Sequence, residues 1–317
     1  MRQRIALILL CLLLAGCGSQ AAEEPARRTV FAMDTVMNLA AYGDRAEDAL
    51  DAAEAELHRL DALLARGDEN SAVYALNHGT ATPDPELSGL VDEACEVAAA
   101  TDGAFDPYLG AVLDLWGFGS GAGEHRVPAQ EELAAAPPLL DLGGIAKGLA
   151  GEYVRDVFEA YHVTGAVADL GGDVALCGSK PGRAPWRVAV RDPADGSAYL
   201  GVLETAGGVY AATSGVYERY FEQDGARYHH IIDPRTGRPA DSGVVSATVV
   251  CESGVWADAL ATACCVLGAD GALALRARLA DTAAFDLILV TEDGRVLCAC
   301  EGFTGETGNG YTYETIT

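Results

Sequence analysis

The chain has 317 residues, half of them hydrophobic, and carries 47 acidic against 21 basic side chains, a net charge of −26 at pH 7. Such a surface repels the phosphates of nucleic acids and anionic lipid headgroups, so the composition argues against a nucleic-acid-binding role. The length allows one large domain, or two closely packed ones, with a full hydrophobic core.

The N-terminus has the pattern of an export signal. Two arginines precede a short apolar run at 5–14, and small residues then lead to Cys17. The run is too short for a stable membrane-spanning helix. The Leu-Ala-Gly-Cys ending resembles the bacterial lipobox, whose cysteine becomes a lipidated N-terminus; an ordinary cleaved signal is the alternative. We predict a signal peptide over 1–16, lipidated Cys17 and a tether over 17–28, and a domain over 29–317, exported and lipid-anchored on the extracytoplasmic side of the cell membrane.

Hydrophobic periodicity divides the first half of the domain into strands and helices. Thr29 to Tyr42 predicts one strand, and Asp44 to Ala65 predicts an amphipathic helix. Pro85 to Ala100 predicts a second helix, which ends at a Thr-Asp-Gly stop. An irregular aromatic and glycine-rich segment follows, and residues 137–142 predict a strand that leads into a glycine turn and a third helix.

The second half is predicted to consist mainly of strands. An Asp-Gly pair at 224–225 indicates a hairpin, and residues 285–290 and 295–300 predict a final one. Helices are predicted over Val255 to Leu267 and Ala272 to Leu279. Because helices and hairpins are mixed without strict alternation, the sequence predicts an α+β fold with mixed, largely antiparallel sheets and packed helices.

The cysteines do not form a recognisable disulfide framework. Two of the nine lie in the first 17 residues, which leaves an odd number at irregular spacing. Most of these lie in apolar runs, where a free cysteine behaves as a small core residue. We therefore predict structural thiols.

The glycine turn is the first candidate for anion chemistry. Residues 141–148 read Asp-Leu-Gly-Gly-Ile-Ala-Lys-Gly and open the third predicted helix. Unpaired N–H groups at a helix start favour a bound phosphate, and Lys147 is one of only two lysines in the chain. The alternative is a turn whose glycines serve packing alone.

Asp258 and Thr262 are a candidate metal site. They lie four residues apart on a predicted helix, so the carboxylate and the hydroxyl share one face. Both are hard oxygen ligands, which suit magnesium completed by substrate phosphates. The alternative is an acid favoured by the helix dipole and a threonine bonded to its own backbone.

A cluster of polar residues surrounds the turn at 228–239, which contains His229, His230, one aspartate and two arginines. Successive strand residues face opposite sides, so only one histidine can face a given site. A histidine satisfied within the core is the alternative interpretation.

Four stretches together resemble the signatures of the ApbE-type FAD:protein FMN transferases, in the order of that family and over nearly all of the chain after the tether. They are 141–148, 212–215 (Ala-Thr-Ser-Gly), 229–237 (His-His-Ile-Ile-Asp-Pro-Arg-Thr-Gly) and 257–263 (Ala-Asp-Ala-Leu-Ala-Thr-Ala). The resemblance implies an ApbE-like, T-fold-like architecture.

The resemblance also implies a function. This is the magnesium-dependent transfer of FMN from FAD to a Thr or Ser hydroxyl of a target protein, with release of AMP. The implied partners are FAD as substrate and extracytoplasmic FMN-binding domains of Rnf- or Nqr-like redox complexes as acceptors. An FAD pyrophosphatase that uses water, and a flavin-binding lipoprotein without chemistry, are the alternatives.

The resemblance assigns roles to particular residues. FAD would be held by Met33, Ala104, Phe105, Asp106, Asp141, Lys147 and Ile232. Magnesium would be held by Asp258, Thr262 and the backbone of Gly144 and Ala261. The catalytic set would be His230, Asp258 and Lys147, with His230 favoured as the general base and Asp258 or Asp233 as alternatives.

Two features depart from the family pattern. A tyrosine expected near the flavin is replaced by Gly67, and Tyr74 is the candidate to supply the missing stacking contact. Residues 301–307 loosely resemble the sequence that these enzymes modify, so Thr307 is either a site of self-modification or part of a plain surface turn.

Overall fold

The structure is a computed structural model that describes residues 24–119, 123–308 and 310–316. The predicted signal peptide and Cys17 lie outside these residues. The helices of the described chain are α1 (Ala46–Leu64), α2 (Ala72–Asn77), α3 (Pro85–Ala100), α4 (Gly110–Trp116), α5 (Gln130–Ala135), α6 (Ala146–Ala160) and α7 (Gly254–Leu279).

The strands are β1 (Ala26–Ala32), β2 (Thr35–Tyr42), β3 (Gly165–Asp169), β4 (Val174–Gly178), β5 (Trp186–Arg191), β6 (Tyr199–Thr205), β7 (Tyr210–Gly215), β8 (Tyr220–Gln223), β9 (Ala226–His229), β10 (Ile232–Asp233), β11 (Arg238–Pro239), β12 (Val244–Cys251), β13 (Asp286–Thr291), β14 (Arg295–Ala299), β15 (Phe303–Gly305) and β16 (Thr312–Thr315).

A large sheet organises these strands. Within the described chain it has nine strands in the order β1-β2-β3-β4-β7-β12-β13-β14-β16, and β15-β6-β5 form a smaller sheet. Neighbours in the large sheet are antiparallel except for β14 and β16. The predicted α+β class with largely antiparallel sheets is confirmed, as is the final hairpin, β13–β14.

The core lies between the large sheet and the helices α1, α6 and α7. In α1, Leu50, Leu57 and Leu60 recur at helical spacing and are fully buried, while acids cover the opposite face. The helix α7 packs on β7 and β12 and is long and apolar enough to cross a membrane, but most of its apolar stretch is buried in this core. Gly268 has a positive φ of 74° inside α7, which separates the two helices that the sequence predicts there.

The predicted first strand is instead a hairpin, β1–β2. Met33 and Asp34 form its turn with positive φ angles of 50° and 59°. The prediction failed because both strands share one alternating pattern and the turn contains no glycine. β1 begins at Ala26, so the predicted tether over 17–28 overlaps the sheet by three residues.

The segment before the glycine turn is also different from its prediction. Residues 137–142 form no strand; Leu139 makes a single parallel bridge to Leu109. The aromatic segment contains α4, where Trp116 is fully buried and its indole N–H donates to the Gly237 carbonyl (2.8 Å). The helix was missed because a single short apolar turn has no measurable period.

The cysteines of the described chain are free thiols. Five are buried, in agreement with the prediction, whereas Cys95 is exposed and Cys300 is half-buried.

The helices α6 and α7 cross at two glycines. A Cβ at Gly148 would overlap the carbonyl oxygen of Gly254, and a Cβ at Gly254 would overlap the carbonyl oxygen of Gly148. Beside the crossing, the Glu152 carboxylate accepts hydrogen bonds from the Ser253 hydroxyl (2.8 Å) and the N–H of Gly254 (2.6 Å) at the start of α7. Backbone contact therefore fixes the start of α6 against α7.

We expect Gly148→Ala to destabilise the protein by about 1–3 kcal/mol, because the added methyl group has no room at this crossing. Gly89→Ala is the matched control: residue 89 is exposed in α3, and a Cβ there meets nothing within 4 Å. That change should add about 0.5–1 kcal/mol of stability through helix propensity. Urea unfolding measures both; equal effects would show that the crossing is not tight.

Candidate active site

The start of α6 lines a cavity of about 1270 Å³. This volume exceeds the usual range for drug-sized ligands, so the cavity accommodates a dinucleotide-sized molecule. It is lined by these sequence-predicted residues: Met33, Ala104, Phe105, Asp106, Asp141, Gly144, Lys147, His230, Ile232, Asp258 and Thr262.

Three other candidates lie elsewhere. Ala261 is fully buried and does not line the cavity, because its position on α7 faces the core. The Asp233 carboxylate pairs with Arg235 (2.9 Å) and is also outside the lining, so it is a poor candidate for the base. Tyr74 stacks on His78 at 3.8 Å between ring centroids and does not line the cavity. It therefore does not supply the stacking contact of the tyrosine that Gly67 replaces.

The Lys147 ammonium lies between two buried carboxylates. Its Nζ is 2.8 Å from Asp173 Oδ2 and 4.0 Å from Asp258 Oδ1. The Gly148 N–H donates to Asp258 Oδ2 (3.1 Å), and the Thr213 N–H donates to Asp173 Oδ1 (3.2 Å). The sequence assigned no role to Asp173, which follows the glycines at 171–172 and contacts Lys147 only through the tertiary fold.

One acid of this group is left without a compensating positive charge. Burial alone would lower the pKa of Lys147, but the carboxylates of Asp173 and Asp258 outweigh burial and raise it, so the amine stays protonated. Burial and the neighbouring Asp173 raise the pKa of Asp258 well above its usual range, against the effect of Lys147. Two carboxylates facing one ammonium favour the approach of a further cation.

Hydroxyl groups extend the polar wall next to Asp258. Thr262 lies one helical turn further along α7, and its Oγ1 is 3.1 Å from Ser214 Oγ at the end of β7. The predicted shared face of Asp258 and Thr262 is therefore present in the cavity. Gly144 lines the same cavity from the glycine turn, with its Cα close to the Phe105 ring.

The two histidines have different surroundings, as strand alternation predicts. His229 is buried and its Nε2 is 3.0 Å from the Ala240 carbonyl, whereas His230 lines the cavity. His230 Nδ1 lies 3.2 Å from the Arg219 carbonyl. A carbonyl only accepts, so this contact assigns the proton to Nδ1 and leaves the Nε2 lone pair free.

His230 is neutral at physiological pH. Burial within the cavity wall, followed by the positive charge of Arg219, lowers the pKa of His230 to about 4. The ring therefore accepts a hydrogen bond readily, but it is a weak proton base.

Arg66 forms a buried ion network that the sequence did not reveal. The residue is 9% exposed, and its guanidinium donates to both oxygens of Asp114 (2.7 and 2.9 Å) and to Asp141 Oδ2 (2.8 Å). Asp141 in turn accepts from the Gly143 N–H (2.9 Å). Arg66 thus fixes the carboxylate that begins the glycine turn.

We expect Arg66→Ala to destabilise the protein by about 2–3 kcal/mol, because it removes charge-assisted hydrogen bonds from a buried guanidinium, while the carboxylates left behind, Asp114 and Asp141, are partly exposed to water. Arg59 is a matched control, since it also contacts two carboxylates, Glu56 and Glu86, but its side chain is 42% exposed. Arg59→Ala should cost about 1 kcal/mol or less. Chemical denaturation distinguishes the two; a small loss at Arg66 would contradict the network.

The comparisons with known proteins agree with one another. The ApbE family model matches residues 33–285. The chain is 32% identical over 333 aligned positions to the FAD:protein FMN transferase of Treponema pallidum (strain Nichols), with 91% of each chain covered. It is 34% identical over 260 positions to that of Vibrio cholerae serotype O1, with 75% of each covered.

The fold agrees as well. The crystal structure of the ApbE protein from Thermotoga maritima superposes with a TM-score of 0.80 at 32% identity, covering 88% of this chain and 97% of that one. The family match and this likeness both extend across the cavity and its walls. The chain therefore belongs to the ApbE family.

Proposed function

We propose that the protein is a flavin transferase that moves FMN from FAD to a Thr or Ser hydroxyl of an acceptor protein and releases AMP. The observation that carries this proposal is the convergence of Lys147, Asp258 and Thr262 on one dinucleotide-sized cavity. Relatives of similar length carry the name FAD:protein FMN transferase, which supports the same activity.

The cavity offers suitable surfaces for both ends of FAD. Phe105 and Ile232 supply buried apolar walls, next to Met33, Ala104 and Asp106. The pyrophosphate would lie at the start of α6, where free helix N–H groups and the Lys147 ammonium favour an anion. Because Asp173 and Asp258 outnumber the single Lys147 ammonium, a metal cation would have to accompany the pyrophosphate.

The residues present fit a magnesium ion. Asp258 supplies a buried carboxylate, Thr262 a hydroxyl, and Gly144 a backbone carbonyl, all of them hard oxygen donors. In the described chain no group of three or more His, Cys, Asp or Glu side chains has metal-binding geometry, so substrate oxygens would complete the coordination. Bound magnesium would neutralise the phosphate oxygens during transfer.

The chain's own residues would position the reactants. The acceptor oxygen forms a bond to the FMN phosphorus, the bond from that phosphorus to the bridging oxygen breaks, and AMP leaves with the electron pair. Lys147 would hold the pyrophosphate. The free Nε2 of His230 would accept a hydrogen bond from the incoming hydroxyl and orient it.

The acceptors would be extracytoplasmic FMN-binding domains of redox complexes, such as Rnf- or Nqr-like ones. The export signal and the lipobox-like Cys17 support a location on the extracytoplasmic side of the membrane, held by a lipid anchor.

A second candidate function is hydrolysis of FAD to FMN and AMP. The wide cavity favours it, because water reaches the same phosphorus when no acceptor is present. Binding of FAD without chemistry, the third alternative, leaves the arrangement of Asp258 and Thr262 unexplained.

One incubation separates these functions. The protein is mixed with FAD, magnesium and a recombinant extracytoplasmic FMN-binding domain. A flavin-fluorescent acceptor band on a denaturing gel supports the transferase, free FMN with AMP supports the hydrolase, and unchanged FAD supports binding alone.

We expect Asp258→Ala to reduce turnover by about 10²–10³-fold or more, because it removes the proposed metal ligand.

Lys147→Ala should chiefly weaken FAD binding, by about 10- to 100-fold, through loss of a charge-assisted hydrogen bond. Lys180 is the matched control, since it lies over the Trp186 ring outside the cavity lining. Titration of flavin fluorescence and AMP release measure these effects; a Lys180→Ala variant as impaired as Lys147→Ala would contradict the assignment.

We expect His230→Ala to slow FMN transfer while FAD affinity changes less than about threefold, because the ring orients the acceptor and not the dinucleotide. The pKa of about 4 means that the ring is protonated, and its Nε2 lone pair lost, only as the pH falls toward 4. His58 is exposed on α1 and provides the control substitution. Unchanged transfer rates in a single-turnover assay would exclude the role.

A further inference from the structure

Glu218 is an acidic residue of the cavity wall that takes no part in the proposed reaction as described above. It follows β7 on the turn that leads to β8, and it lines the cavity. Its side chain makes no hydrogen bond or ion pair with other described residues. Its Oε1 lies 3.7 Å from where a Cβ of Gly172 would be, next to Asp173.

Five other carboxylates of the cavity are already engaged in hydrogen bonds or ion pairs. Asp141 is held by Arg66, Asp258 accepts from Gly148, and Asp106 accepts from the N–H of Tyr108 (2.8 Å). The oxygens of Asp68 and Asp169 accept from backbone N–H groups two residues further on.

Two further lining carboxylates, Asp34 and Asp61, belong to the β1–β2 turn and to α1. The acids whose charges act on the Lys147 amine are Asp173, Asp258 and Glu218. Glu218 is therefore the carboxylate that combines proximity to Lys147 with freedom from a partner in the described chain.

The surroundings of Glu218 strengthen it as a proton acceptor. The surrounding wall partly desolvates the Glu218 carboxylate, which raises its pKa even though the side chain faces the open cavity. The positive charge of Lys147 lowers this pKa, and the negative charge of Asp173 raises it. Arg191 at the end of β5 and the adjacent Arg219 also lower the pKa, and Tyr217 is a further titratable neighbour. A carboxylate with a raised pKa is a better base than His230, whose pKa is about 4.

We propose that Glu218 is the general base of the reaction, an inference that rests on the proposed function. Its carboxylate takes the proton of the attacking hydroxyl, or of water, as that oxygen bonds to the FMN phosphorus. The bond to the bridging oxygen breaks, AMP leaves with the electron pair, and the proton passes from Glu218 to solvent. A Thr or Ser hydroxyl carries a single proton, so the hydrogen bond that it would donate to His230 Nε2 on entry passes to Glu218, which then removes that proton.

The first test is Glu218→Gln, which keeps the shape of the side chain and removes its basicity. AMP release from FAD with magnesium, with and without the acceptor domain, reports cleavage by either nucleophile. The rate should fall by about 10²–10⁴-fold, with FAD affinity within about threefold of wild type. Glu222→Gln is the matched control: Glu222 lies on β8, is exposed, pairs with Arg227 and does not line the cavity.

Two readouts separate a base from a structural residue. Glu218→Ala should regain activity with added formate in a dose-dependent manner, whereas Glu222→Ala should not respond. In wild type the rate should fall as the pH falls through the raised pKa of Glu218, because only the deprotonated carboxylate is active. Since Lys147, Asp173, Arg191, Arg219 and Tyr217 also face this group, the difference between the wild-type and Gln profiles isolates Glu218.

The outcomes are distinguishable. If wild type releases no AMP under either condition, the proposed function fails. If wild type turns over and Glu218→Gln matches its rate and pH profile, the base assignment alone is overturned.

Discussion

The site depends on the close crossing of α6 and α7. Gly148 and Gly254 let the two backbones touch, and Glu152 holds the start of α7 in place. This contact brings Lys147, at the first turn of α6, to the first turns of α7, where Asp258 and Thr262 lie. A side chain at either glycine would separate the Lys147 ammonium from the Asp258 carboxylate. The glycines of the 141–148 stretch therefore serve packing and chemistry at once, although the sequence presents these as alternatives.

The charges at the crossing bear on how an acidic protein would accommodate the anionic dinucleotide of the proposed reaction. Lys147 is already balanced by Asp173, and the raised pKa of Asp258 reflects an acid that has no positive charge of its own to pair with. The group formed by Lys147, Asp173 and Asp258 is therefore not a simple anion-binding site. A bound pyrophosphate requires that the excess charge be offset, and in the proposed reaction a cation and the pyrophosphate would enter as one neutral unit. Under the proposed function such coupling would make FAD affinity depend on the metal, whereas the contribution of the apolar walls around Phe105 and Ile232 to FAD affinity would not depend on it.

The sequence predicted the parts of the site that follow from local spacing. Helical spacing correctly predicted that Asp258 and Thr262 face the same cavity, and strand alternation correctly predicted that only one histidine, His230, faces it. Both patterns are properties of a single helix or strand. Arg66 and Asp173 were not predicted, since their roles arise from partners 26 to 75 residues away. The β1–β2 turn was missed for a different reason: it contains no glycine, and Met33 adopts a left-handed backbone conformation that is uncommon for its residue type.

The wide cavity bears on the choice between protein hydroxyl and water. In the proposed reaction both nucleophiles would attack the same phosphorus, lose one proton and use the same positive charge, so neither Lys147 nor a base such as Glu218 would distinguish them. Discrimination must come from exclusion of water when the acceptor fills the open part of the cavity. The residues there, including Glu218 and Arg219, are exposed in the free protein. An acceptor that covers them would raise the pKa of the base further and expel competing water in the same step.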